Sequence, residues 1–338
     1  MFKKKIGIYA LTFAMAAMGM TGCSSDTSSS SRTEATTQAA NKASSEPFSV
    51  VCTIFPEYDW VKEILGDHAD NAELTYLLDN GVDLHSYQPT ADDMMKISTC
   101  DLFIYVGGES DEWVDSVLNN AQNKDMLALD LMELLGDKAK EETAVEGMET
   151  EEHEEEEDEK EYDEHIWLSL KNASFLCQKI ADKLSEKDPD NKDTYAKNAK
   201  AYIEKLNKLD TEYEQTCSSA KNDTLIFADR FPFRYMTDDY GLDYYAAFVG
   251  CSAETEASFE TISFLANKVD ELNLHAIMTI EGDNHKIAQT IADTATASDI
   301  EILTMDSMQS VTSKDVDAGA TYLKIMEDNL AVLDKALK

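Results

Sequence analysis

Ser49-Val50-Val51-Cys52-Thr53-Ile54-Phe55-Pro56-Glu57-Tyr58-Asp59-Trp60-Val61-Lys62-Glu63-Ile64-Leu65 begins as a short apolar, β-branched run and continues as a segment with helical spacing of its apolar residues. A run to Phe55 followed by a helix from Glu57 to Leu65 is one unit of the βαβ pattern that builds a parallel sheet. The same alternation recurs downstream. Apolar runs at Ala72 to Leu78, Asp101 to Val106 and Met126 to Leu131 are separated by helical stretches such as Ala91 to Ser98. A second set follows at Thr224 to Ala228, Leu242 to Phe248, Ala276 to Ile280 and Glu301 to Thr304, with helices at Phe259 to Leu272 and Ala318 to Leu337. The expected fold is therefore α/β, with two four-stranded parallel-sheet lobes.

Between the two sets, Tyr195, Ala199, Tyr202, Leu206, Leu209 and Tyr213 recur at alternating steps of four and three, and neither Gly nor Pro occurs from Asn191 to Ala220. This predicts one long rigid helix that joins the lobes and limits their relative motion. The boundaries that follow are an N-terminal lobe at 48–170, linking helices at 171–220 and a C-terminal lobe at 221–338. One segment breaks the regularity. From Asp137 to Glu164 sixteen acids and three lysines occur without apolar periodicity, which predicts a mobile, solvated loop.

The 338 residues are 43% hydrophobic with only 13 Gly and 5 Pro, enough to bury one or two cores. A net charge of −38 would repel phosphate backbones, so nucleic-acid binding is excluded. Residues 1–22, with Lys3, Lys4 and Lys5 ahead of an apolar stretch from Ile6 to about Met20, read as a secretory signal. Met20-Thr21-Gly22-Cys23 resembles a bacterial lipobox, with Cys23 the lipidated residue and Ser/Thr-rich residues 23–47 a disordered tether. The expected location is extracytoplasmic, anchored by lipid to the bacterial cell membrane. The other cysteines, Cys52, Cys100, Cys177, Cys217 and Cys251, form no CxxC pair, so neither a zinc knuckle nor a dense disulfide framework is indicated.

Two of the six histidines stand out. His85 lies in the turn-rich stretch from Asn80 to Pro89, directly after an apolar run, where ligands bind in open α/β sheets. His165 sits where the acidic segment rejoins the fold at Ile166-Trp167-Leu168. His68, His275 and His285 read as solvent-facing, and His153 belongs to the acidic loop. No GxGxxG or GxxxxGK[ST] pattern is present for a dinucleotide or phosphate.

From residue 48 to 338 the chain resembles the zinc- and manganese-binding solute receptors of bacterial ABC importers. The resemblance is carried by Thr53 to Asp59, the Gly81-Val82-Asp83-Leu84-His85-Ser86-Tyr87-Gln88-Pro89 loop, Gly107 to Trp113 and His165 to Leu168 with Lys171-Asn172-Ala173. It continues through Tyr240-Gly241-Leu242, Glu254 to Ser258, Ile280-Glu281 and Leu303 to Asp306. It implies a metal site in the cleft between the lobes, with His85 and His165 from the first lobe and Asp306 from the second. The remaining family ligand, five residues before Tyr235, is Arg230 in this chain and cannot bind a cation. Its neighbour Asp229 replaces it if the segment shifts by one residue around Pro232; water is the fallback. Glu281 matches a family glutamate and is assigned a bracing or lobe-closing role outside the ligand set. Arg230 would then point away and pair with an acid.

Two imidazoles with two carboxylates suit Zn2+ first and Mn2+ next. The implied function is capture of one such ion as transported cargo and its delivery to an ABC permease and its ATPase, by a monomer that is not an enzyme. A secreted metallohydrolase is the alternative from another class, but HExxH, GxSxG and paired-carboxylate motifs are missing. A surface adhesin on the same fold is a third reading.

Overall fold

The computed structural model describes residues 47–149, 161–252, 256–282 and 285–338. The signal segment 1–22, the lipidation site Cys23, the tether up to residue 46, His153 and Glu254 lie outside these residues.

The first lobe runs β1 (Phe48–Cys52), α1 (Phe55–Leu65), β2 (Ala72–Tyr76), α2 (Ala91–Thr99), β3 (Leu102–Tyr105), α3 (Val114–Asn119), β4 (Leu127–Asp130) and α4 (Leu131–Leu135). The start of α1 is fixed locally. Glu57 turns Oε2 back to accept the Thr53 N–H at 2.8 Å, the Thr53 hydroxyl at 3.0 Å and the Ile54 N–H at 3.3 Å, and Pro56 sits in the first turn, where its missing N–H costs nothing. The second lobe follows two long helices, α5 (Leu170–Lys187) and α6 (Lys192–Ser218). It comprises β5 (Thr224–Arg230), α7 (Arg234–Tyr240), β6 (Asp243–Phe248), α8 (Phe259–Glu271), β7 (Ala276–Ile280), α9 (Lys286–Thr294), β8 (Glu301–Met305), α10 (Ser313–Asp317) and α11 (Tyr322–Ala336).

All pairings between strands are parallel, and the orders β2-β1-β3-β4 and β6-β5-β7-β8 are the same topology used twice. Near-continuous apolar burial explains why these runs are parallel strands: Ala276 to Ile280 is buried at every position of β7. In each sheet the loops that matter below leave the C-terminal ends of the strands.

The 27-residue α6 buries the face predicted from its spacing, Tyr195, Ala199, Tyr202, Leu206, Leu209 and Tyr213. Cross-lobe bonds reinforce this strut. The Trp167 indole donates to the Ser307 carbonyl at 2.8 Å, the Tyr322 hydroxyl to the Trp167 carbonyl at 2.6 Å, and the Tyr322 N–H to Asp59 at 2.9 Å. Trp60 meets Tyr322 edge to face at 5.2 Å, within one hydrophobic core that continues from lobe to lobe. Large hinge motions would have to break these buried contacts.

Two expectations need correction. The helix read at Ala318 to Leu337 starts only at Tyr322, because α10 ends at Asp317, Gly319 takes a φ of 101° and Thr321 caps the new helix by accepting the Lys324 N–H. The acidic segment is anchored at both flanks rather than loose from Asp137 to Glu164. Glu141 pairs with Tyr162, Lys140 receives the Asp163 N–H at 2.9 Å, and the Glu149 N–H reaches the Ala247 carbonyl at 2.9 Å beside β6. Gly147 permits the close approach, since a Cβ there would fall 2.1 Å from the Phe264 ring. The centre of the segment, 150–160, lies outside the described residues. Among the described residues no helix is long and apolar enough to cross a membrane.

Candidate metal centre

His85 is carried by a short 3-10 turn, Leu84–Ser86, that Asp83 starts by accepting the His85 N–H at 3.0 Å. His165 precedes a similar turn, Ile166–Leu168, and is fully buried. The two side chains meet: Nε2 of His85 lies 3.1 Å from Nε2 of His165.

Their outer nitrogens are engaged. Nδ1 of His165 lies 2.9 Å from Asp163 Oδ1, which also accepts the His165 N–H at 2.9 Å. Nδ1 of His85 lies 2.9 Å from the Ser110 hydroxyl and 3.3 Å from Glu164, whose other oxygen accepts the Ser110 N–H at 2.9 Å. With Nδ1–H donating outward, each ring turns the lone pair of Nε2 toward the other, so the pair calls for a cation or a shared proton between them. Two zinc-bound nitrogens at bond lengths near 2.05 Å and a tetrahedral angle stand about 3.3 Å apart, close to the separation found here.

The backing acids set the electrostatics. Burial works to lower the His165 pKa, but the charge and hydrogen bond of Asp163 outweigh it and raise it. Burial likewise opposes ionisation of Glu164, and His85 and Ser110 hold its carboxyl below the usual range. Asp163 and Glu164, hidden in a run of sixteen acids, are 2% exposed each, so they belong to the site rather than to a solvated charge run.

Among the described residues, the one group of three His, Cys, Asp or Glu side chains whose ligand atoms lie close enough to share an ion is His85, His165 and Cys251, all within 4.8 Å of one another. Cys251 follows β6 and was passed over in sequence because it lacks a partner cysteine nearby. Its position just past a strand end, the criterion that singled out His85, was the available signal. Burial, then the negative charge of Glu142, Asp163 and Glu164, pushes its thiol up, so the free protein holds a neutral thiol. Both Cys251 and His85 line a cavity of about 360 Å³ with Glu142, Glu161 and Glu164 on its walls.

The structure does not bring the two expected aspartates into that group. Asp229 accepts the Arg230 N–H at 3.0 Å, and burial raises its pKa. Asp306 accepts the Met308 N–H at 2.7 Å through one oxygen; burial and then Glu281 push it up to about 7. Glu281 braces the loop beyond Asp306, taking the Ser307 N–H and hydroxyl at 2.7 Å each and the Gln309 N–H at 3.1 Å. Arg230 does pair with an acid, but not by pointing away: its guanidinium crosses to Asp83 in the His85 loop. The pair holds Asp83 below the usual carboxylate range against the opposing effect of burial.

Comparison with known proteins fits this geometry. Residues 50–336 match the family model described as zinc-uptake complex component A, periplasmic (ZnuA), and the chain belongs to that family of metal-binding solute receptors. The zinc-binding lipoprotein AdcA of Streptococcus pneumoniae is 32% identical over 288 residues, covering 84% of this chain and 54% of AdcA, so the chain spans about half the length of that relative. The high-affinity zinc uptake system protein ZnuA of Bacillus subtilis is 28% identical over 347 residues, covering 100% of this chain and 99% of its own. The crystal structure of the Zn(II)-bound ZnuA-like domain of S. pneumoniae AdcA superposes with a TM-score of 0.67 at 30% identity, covering 86% of this chain and 98% of the domain.

Proposed function

We propose that this protein captures one Zn2+ ion outside the cytoplasmic membrane as transported cargo and hands it to an ABC permease driven by its ATPase. In this reading it is held at the cell surface by lipid on Cys23, acts as a monomer and turns over nothing. His85 and His165 are the ligands from the first lobe. Asp306 is the second-lobe carboxylate that the resemblance assigns; Asp229, tied to Arg230, is the weaker candidate. Zinc is favoured over Mn2+ because neutral imidazoles suit a borderline ion better than a hard one.

The observation that carries this reading is the 3.1 Å approach of two Nε2 atoms whose outer nitrogens are both held by acceptors, in a chain of a zinc-uptake family. An imidazole backed by a carboxylate is a common arrangement at zinc sites, because the acceptor fixes the tautomer and raises the basicity of the ligand atom. Direct zinc titration against a chromophoric chelator tests it. One ion per chain is expected, with affinity falling by more than about 100-fold in His85→Ala and in His165→Ala, since loss of an outer partner alone costs 10–100-fold. Wild-type affinity in both variants would overturn the site, and zinc-dependent hydrolysis of esters or peptides would overturn the receptor reading.

A further inference from the structure

We propose that Cys251 is a ligand of this ion, its thiolate supplying from the second lobe the donor that Arg230 cannot. The inference rests on the zinc-receptor reading and deepens it.

The first support is position. Sγ of Cys251 and one ring nitrogen from each of His85 and His165 lie within 4.8 Å of one another, so the three side chains need little movement to converge on one ion. Sulfur bonds zinc at about 2.3 Å and imidazole at 2.0–2.1 Å. Cys52, Cys100, Cys177 and Cys217 are buried in the lobes and linking helices, whereas Cys251 is half-buried and lines the cavity beside His85.

The second support is the way the chain delivers it. Gly250 packs closely against the His165 ring. A Cβ there would stand 3.2 Å from Cε1 and Nδ1 of His165 and 2.9 Å from the Phe231 carbonyl, so any larger residue would push the loop off the imidazole. The Glu142 carboxylate fixes the next residue by accepting the Cys251 N–H at 3.0 Å. Glu142 comes from the anchored flank of the acidic segment, which gives that flank a positioning role.

The third support is Arg230. It occupies the place expected of a ligand and spends its charge on Asp83, closing that approach to a cation. The second lobe's donor then comes from the loop after β6 instead of the end of β5.

On binding, Zn2+ displaces the proton of the Cys251 thiol, which leaves to solvent, and a zinc–sulfur bond forms with no change in oxidation state. Two neutral imidazoles and one thiolate leave a net charge of +1 on the complex and one tetrahedral position for Asp306 or water. A soft sulfur ligand also discriminates against manganese, which prefers oxygen.

The test uses the full-length protein in detergent under reducing conditions. Loaded with Co2+, the wild type is expected to show a near-ultraviolet thiolate-to-cobalt charge-transfer band that Cys251→Ser lacks. Zinc affinity in Cys251→Ser should fall by about 10- to 100-fold, and Cys251→Asp should narrow the preference for zinc over manganese. Should the serine variant misfold, the wild type alone decides: zinc should slow alkylation of Cys251 by iodoacetamide, mapped by peptide mass. Unchanged zinc affinity in Cys251→Ser without a sulfur band, or equal labelling with and without zinc, overturns the assignment. If His85→Ala and His165→Ala still lose zinc in those circumstances, the receptor reading stands and Cys251 alone is excluded.

Discussion

On the first-lobe wall of the cleft, His85 and His165 turn their outer nitrogens to Ser110, Glu164 and Asp163 and keep both Nε2 atoms facing each other. On the second-lobe wall, Asp229, Glu281 and Asp306 turn carboxylate oxygens back onto N–H groups of their own lobe. Both walls are polar and largely buried, yet their groups are satisfied in opposite directions. A carboxylate already holding backbone donors braces a loop, and lending it to an ion costs those bonds. An imidazole held from behind has its free lone pair fixed in place, so binding needs little reorganisation.

Acidity sharpens the contrast most. Protons compete with the ion for the imidazole of His165, so zinc affinity should be highest above its raised pKa and fall as pH drops through it. Because Asp163 raises His165 above its ordinary 6.5 against the lowering effect of burial, the decline should set in above pH 6.5. Once a ligand is mostly protonated the loss should approach about tenfold per pH unit for each such group. Zinc titrations from pH 8 to 5 measure this, and a flat profile would mean that His165 is not a ligand of the ion.

Removing the brace behind one imidazole comes next in size. Asp163→Ala should weaken zinc binding by about 10- to 100-fold and move the acid decline to lower pH, because the carboxylate that raises His165 is gone. An unchanged pH profile would show that Asp163 does not set the basicity of the ring. The smallest effect is expected on the other wall. Glu281→Gln removes part of the acceptor for Ser307 and Gln309, so Tm should fall while zinc affinity changes by less than about threefold, as for a group outside the ligand set. A loss as large as that of Asp163→Ala would move Glu281 into the ligand set.

Much of this was legible in the sequence because strands and helices obey local periodicity. The run from Ala276 to Ile280 is a strand over those same residues, and the spacing of Tyr195 to Tyr213 marks the buried face of α6. His85 was legible because a turn-rich loop after a strand is where open sheets place ligands. Contacts that close only in three dimensions were not. Arg230 and Asp83 are 147 positions apart, and nothing local to either announces that they pair across the lobes. Asp163 and Glu164 could not be distinguished from the surrounding acids until burial separated them. Cys251 carried the weakest local signal, a single cysteine beside a glycine, and gained meaning once its loop lay against His165.

X-ray absorption at the zinc edge tests the central claim most directly, because it counts and identifies the atoms around the ion without a mutation. The zinc-loaded wild type should show two imidazole nitrogens, with the outer-ring scattering that marks histidine, at about 2.0–2.1 Å and one sulfur at about 2.3 Å. A shell of oxygen alone would contradict the assignment of His85 and His165, and imidazole scattering without sulfur would contradict that of Cys251.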